Sequence, residues 1–101
     1  MRIKKMEKQV VRWIRGHIPD ERRDPMNTAI KLSEEVAELL HALYVDGANV
    51  GEEIADCMIL LLDIAHLEDI DVSTNFKLKM AINANRQWKS DKGCLSHEND
   101  D

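Results

Sequence analysis

The sequence is poor in the residue types that build cross-linked, sheet-rich or membrane-spanning proteins. Only two of its 101 residues are cysteines, Cys57 inside a helical run and Cys94 in a polar segment. Neither a disulfide framework nor a zinc site is indicated, and reduced thiols in a cytoplasmic protein are the simpler expectation. With 44% apolar residues but 4% aromatics, the chain reads as a globular helical domain rather than a disordered or β-rich one. The longest unbroken apolar stretch, Cys57 to Leu62, is bracketed by Asp56 and Asp63 and falls far short of the ~20 residues that cross a bilayer. The basic start MRIKKMEKQ leads into VVRWIRGH, too short and too charged for the apolar region of a signal peptide, so no targeting segment is expected.

Positive charge is missing from the middle of the chain. From Leu32 through Phe76 there are eleven Asp and Glu and no Lys or Arg, and all fourteen basic residues lie at or before Lys31 or at or after Lys77. This segregation, within a net charge of -5, argues against a nucleic-acid-binding face through the centre. It suits a central acidic region for a metal, flanked by basic segments for a polyphosphate.

What the chain does hold is helical periodicity. A first helix is expected from about Lys4 to Arg15, ending near Gly16, with Ile3, Val10, Ile14 and part of Trp13 as its apolar stripe. After the polar link HIPDERRD, Asp24 and Pro25 form an N-cap and first helical position, opening a second helix to about Tyr44 or Asp46. Gly47 ends it, Asn49 or Val50 opens a third helix to about Leu67, and Asp71 or Ser73 caps a fourth that extends to about Trp88. The expected fold is all-α: a four-helix bundle-like subunit with an antiparallel central helix pair. Residues 1–90 form the domain and 91–101 a polar, disordered tail. The third helix is apolar around most of its circumference, through Ile54, Ala55, Cys57 to Leu62, Ile64 and Ala65. Four short helices struggle to surround it, so a homodimer is expected, with this helix at or near the subunit contact.

Two acidic clusters stand out on the central pair. Glu34, Glu35 and Glu38 fall within an arc of roughly 100° on the second helix, opposite Leu32, Val36, Leu39, Leu40 and Leu43. Such a stripe alone is also what a solvated helix face looks like. Glu52, Glu53, Asp56 and Asp63 cover a similar arc of about 100° on a helix whose remaining surface is apolar. Desolvating an unpaired carboxylate costs several kcal/mol, so these groups need cations, and the intervening sequence supplies no Lys or Arg. Mg²⁺, or Mn²⁺ in its place, suits a cage of carboxylate oxygens. The clusters are expected at similar levels of the helix pair, with an offset of roughly 7 Å at 1.5 Å per residue.

The pattern Glu34-Glu35-x-x-Glu38, then Glu53-x-x-Asp56, resembles the signature of the MazG-like all-α nucleotide pyrophosphohydrolases. The resemblance extends to the apolar frame of both helices and to KLKMAINANRQW, covering roughly residues 25 to 90. It implies Mg²⁺-dependent hydrolysis of a nucleoside triphosphate to the monophosphate and pyrophosphate, in a helical dimer or tetramer. Glu35, Glu38, Glu53 and Asp56 then look like metal ligands, and Glu34 like an outer carboxylate or the base that orients the attacking water, leaving Glu34 and Glu38 as the catalytic pair. Lys79, Asn83 and Arg86, spaced by four and three, share one helical face and are the candidate phosphate, sugar or base contacts. Trp13 and Trp88 are expected to pack rather than to stack on a base. Neither a nucleic-acid polymer nor a membrane is an expected partner.

Two other functions fit parts of the pattern. Glu38 with His41 and Asp63 with His66 have the i, i+3 spacing of carboxylate-bridged di-iron bundles, but the first helix offers only Glu7 and the fourth no carboxylate from Phe76 to Lys89. A non-enzymatic helical module binding a basic partner would explain the charge segregation but not the spaced carboxylates on the third helix.

Overall fold

The computed structural model describes residues 2–45 and 47–98. Its elements in order are helix α1 (Arg2–Arg15), a short 3₁₀ turn (Asp20–Arg22), α2 (Pro25–Val45), α3 (Val50–Leu67), α4 (Val72–Ala84) and a hairpin of β1 (Trp88–Asp91) and β2 (Cys94–His97).

Local chemistry sets the helix ends. Asp24 Oδ1 accepts a hydrogen bond from the Met26 amide at 2.9 Å, capping α2 ahead of Pro25 as expected. Gly47, at φ +67°, donates its amide to the Ala42 carbonyl at 2.7 Å and closes the C-terminal turn of α2. The suggested alternative end at Asp46 lies outside the described residues. Asp71 caps α4 by accepting from the Thr74 amide at 3.1 Å.

Helix α3 packs most extensively on α2 and, over a shorter contact, on α1, while α4 rests mainly on α1. The pairings define the register. Thr28 meets Asp63, and Glu38 meets Glu53, so ten residues forward along α2 correspond to ten backward along α3. The two helices are therefore antiparallel, and the expected offset between the acidic clusters is absent, because both pairings centre just past Val45, ahead of the Gly47 turn from which the offset is counted.

The strongest tie in this frame is polar. Asp63, on α3, is 1% exposed. It is ion-paired with Arg23 from the α1–α2 link, Arg23 Nη1 donates to its Oδ1 at 3.2 Å, and Thr28 Oγ1 donates to its Oδ2 at 3.3 Å. The cation that the acidic arc of α3 requires is thus, at this position, an arginine 40 residues earlier in the chain rather than a metal ion. Beside it, Asp20 accepts from Arg15 at 2.7 Å and lies 2.8 Å from His66 Nε2, which holds the link against α3 a second time. The Arg15 and His66 hydrogen bonds keep the Asp20 carboxyl well below the usual carboxylate range.

Three expectations change. Helix α4 ends at Ala84 instead of continuing to Trp88, so Arg86 lies beyond it and no longer shares a helical face with Lys79 and Asn83. The segment expected as a disordered tail carries a hairpin whose two-residue turn, Lys92 and Gly93, has positive φ at both positions. As expected, helix α3 is not enclosed within one chain: Leu62 and Ala65 are buried, whereas Ile54 and Leu61 are about half exposed. The apolar side chains of α2 and α4 are also open, Tyr44 at 91% and Phe76 at 65% exposure. Trp13 is largely exposed rather than packed, and Trp88 donates its indole N–H to the Asn83 carbonyl at 2.7 Å. No helix among the described residues is long and apolar enough to cross a membrane.

Asp63→Ala removes one partner of a buried ion pair and should cost about 3–5 kcal/mol of unfolding free energy. Urea titration measures this, and a loss below ~1 kcal/mol, the range of an exposed pair, would contradict the buried tie.

Candidate metal centre

The α2–α3 register places Glu35, Glu38 and Glu53 together. One carboxylate oxygen from each lies within 4.8 Å of the other two. Glu35 and Glu53 are half-buried and Glu38 is open to solvent. Lys31, one turn before Glu35, approaches Glu35 Oε1 at 3.4 Å and Glu34 Oε1 at 3.7 Å. Glu34 therefore sits on the outer side of α2, 61% exposed, and is not part of the three-carboxylate group. Asp56 is exposed one turn along α3 from Glu53, outside the group but close enough for its charge to act on Glu53.

Three carboxylates this close disturb one another's ionisation. Hydrogen bonding with Glu35, and then the Glu35 and Glu53 charges, push the Glu38 carboxyl above its ordinary range. Glu53 is raised first by burial and then by the Asp56 and Glu35 charges. Glu35 is lowered, chiefly by its hydrogen bond with Glu38 and then by Lys31. The site thus holds a proton or attracts a cation, because full ionisation is opposed by repulsion.

The donor set fits a metal ion. The second oxygens of Glu35 and Glu53 are buried with no hydrogen-bond partner, and buried carboxylate oxygens without a donor are costly unless something positive meets them. Hard divalent cations prefer such all-oxygen sets. The di-iron pattern does not form at its second pair, since Asp63 is engaged by Arg23 and His66 by Asp20.

Beside the carboxylates, a cavity of about 240 Å³ is walled by Glu38, His41, Ala42, Ala48, Asn49 and Glu53. Lys79, Asn83 and Arg86 do not line it. Lys79 and Arg86 are exposed, and Asn83 is half-buried with its Oδ1 lacking a partner. His41 and Asn49 were absent from the expected site. His41 lies one helical turn after Glu38 and could have been read from that spacing, whereas Asn49 reaches the cavity only because the turn folds back on α2.

No family model matches the sequence. Relatives do: a dATP/dGTP diphosphohydrolase of cyanophage S-2L is 36% identical over 96 residues, spanning 94% of this chain and 87% of that protein. A dATP/dGTP diphosphohydrolase of Salmonella phage PMBT28 is 42% identical over 84 residues, 83% of this chain but 27% of that protein. Among solved structures, the cyanophage S-2L MazG-like pyrophosphohydrolase, bound to dGDP and three catalytic Mn²⁺ ions per active site, aligns with TM-score 0.81 at 35% identity, covering 98% of this chain and 95% of that one. The chain belongs to the MazG-like pyrophosphohydrolases. It is accordingly a hydrolase of nucleotide phosphoanhydride bonds, and its three-carboxylate group is the part of this MazG-like domain suited to divalent metal.

The ionisation pattern makes a pH prediction. A carboxyl whose folded-state pKa is raised contributes stability that is fully present below its unfolded value, about 4.3, and lost as pH rises through the raised one. Glu38 and Glu53 therefore make the metal-free MazG-like domain more stable at pH 5 than at pH 7, and the lowered groups Glu35, Asp20 and Asp71 act only at more acidic pH. Melting in EDTA should show this gain for the native chain and lose it in Glu38→Gln/Glu53→Gln, with saturating Mn²⁺ reversing the trend. Identical pH profiles for the two proteins would contradict the assignment.

Proposed function

We propose that this chain hydrolyses dATP and dGTP to the deoxynucleoside monophosphate and pyrophosphate, with a divalent cation, Mg²⁺ or Mn²⁺, held by Glu35, Glu38, Glu53 and Asp56. The observation that carries the reading is the convergence of Glu35, Glu38 and Glu53 from two helices, with buried and unpartnered oxygens on Glu35 and Glu53. Both phage relatives bear the name dATP/dGTP diphosphohydrolase, which supports purine deoxynucleotides as substrates. When bound, the cation supplies charge neutralisation on the triphosphate and a coordinated water of lowered pKa. The chain's own part is to fix its ligands on two helices locked in register by Arg23, Thr28 and Asp63. Glu34 and Glu38, the two most exposed carboxylates of the α2 cluster, are assigned to orient the attacking water and take its proton. Water adds to phosphorus, the bridging P–O bond to the leaving pyrophosphate breaks, and the leaving oxygen keeps the electron pair.

Lys79, Asn83 and Arg86 are assigned to phosphate, sugar or base. Because α4 rests mainly on α1 and these residues do not line the cavity beside Glu38 and Glu53, a second subunit is assigned to present them across an interface. A homodimer, or a tetramer built from it, is supported by the open apolar side chains Leu40, Leu43 and Tyr44 of α2, Ile54 and Leu61 of α3 and Phe76 of α4. A concentration-independent monomer in sedimentation would contradict the oligomer.

Incubating the protein with dATP or dGTP and Mn²⁺ should yield monophosphate and pyrophosphate in equal amounts. Glu38→Gln or Glu53→Gln should lower kcat at least ~100-fold, the scale of losing one preorganised catalytic group, with helical circular dichroism unchanged. Full turnover in both variants would sink the metal-centre assignment.

A further inference from the structure

The cavity beside Glu38 and Glu53 has an unusual lining: two carboxylates, two alanines, an imidazole and a carboxamide, His41 and Asn49, with no Lys or Arg. Among the described residues, neither the His41 ring nor the Asn49 carboxamide makes a hydrogen bond or ion pair. Asn49 precedes α3 at φ 63°, ψ 10°, and its side chain does not cap the helix, although capping is what an asparagine at that position usually does. The left-handed backbone carries a residue whose side-chain carboxamide, among the described residues, has no hydrogen-bond partner at the cavity wall. His41 follows Glu38 by three residues on the same face of α2, on the side of the carboxylates nearer the turn.

At about 240 Å³ the cavity is smaller than the roughly 300–1,000 Å³ that encloses a whole small ligand. It suits a fragment, and its chemistry says which one. An anion beside Glu38 and Glu53 is repelled unless the cation bridges it to them, and the remaining anionic oxygens then need N–H donors. His41 and Asn49 are the donors that this wall offers.

We propose that His41 and Asn49 form the subsite for the distal end of the triphosphate, the part that departs as pyrophosphate. The inference rests on the hydrolase reading above and adds two positioning residues to it. Imidazole and carboxamide N–H groups hold the terminal phosphoryl oxygens, so the departing group is gripped from α2 and from the α2–α3 turn, while the nucleoside lies outside this cavity.

The test is calorimetric titration of the intact protein with pyrophosphate in saturating Mn²⁺, which needs no turnover. Native protein binds pyrophosphate. Asn49→Gly keeps a backbone residue at ease with positive φ while deleting the carboxamide, and His41→Ala deletes the ring at an exposed helical position. Each should weaken pyrophosphate roughly tenfold, the worth of one hydrogen bond to a charged group, with Mn²⁺ affinity and dGMP affinity unchanged. His41→Gln, which retains an N–H donor, should recover part of the loss. With dGTP as substrate the same variants should raise KM more than they lower kcat. Unchanged pyrophosphate affinity in both deletions overturns the subsite even if dGTP hydrolysis is normal, and so does an equal loss of dGMP affinity. Failure of native protein to hydrolyse any nucleotide, with Mn²⁺-dependent pyrophosphate binding intact and sensitive to His41 and Asn49, would sink the hydrolase reading and leave the subsite standing.

Discussion

Repulsion among Glu35, Glu38 and Glu53 is the constraint on which the rest of the molecule depends. Three carboxylates within 4.8 Å, two of them half-buried, resist simultaneous ionisation. A fold that brings them together spends stability on a site that a proton or a metal ion must complete. Lys31 relieves Glu35 from one side, but it reaches only that edge of the group. The α2–α3 contact must therefore be held by something else, and the buried Arg23–Asp63 pair with Thr28 does so at the far end of the helix pair. One end of the pair is neutralised from within the chain. The other is left negative.

This division explains the placement of charge along the sequence. The middle of the chain can lack Lys and Arg because the positive group required by Asp63 arrives from the link before α2, while the groups at Glu35, Glu38 and Glu53 await a cation from solution. The thin core follows from the same economy of elements. Among the described residues only Val10, Val11, Ala42, Leu62 and Ala65 are buried apolar positions, and much of the remaining apolar surface of α2, α3 and α4 faces outward. Such a domain is short of internal hydrophobic stabilisation and is of the size that commonly gains it by association.

Much of this was legible in the residue order because its determinants are local. Helical periodicity, Asp24–Pro25, Gly47 and Asp71 are signals carried within a turn or two, and they placed all four helices and the antiparallel pair. The three-residue spacing of Glu35 and Glu38 needs only helix geometry to become a shared face. The partner of Asp63 was hidden because Arg23 is 40 residues away and no local pattern joins them. The hairpin after α4 was missed because its strands, WKSD and CLSH, do not alternate apolar and polar residues, leaving Lys92–Gly93 as the sole turn signal. The early end of α4 has a similar origin: Asn85 Nδ2 bonds the Ala81 carbonyl at 3.0 Å, and the chain leaves the helix there although the sequence holds no proline or glycine to announce it.

The account is tested most directly by locating the cation. Crystals grown with Mn²⁺ and measured on either side of the manganese absorption edge should give anomalous density between the carboxylates of Glu35, Glu38 and Glu53, and that density should vanish in Glu38→Gln/Glu53→Gln. Density confined to other residues, or none at saturating Mn²⁺ in a crystal whose α2–α3 register is intact, would contradict it.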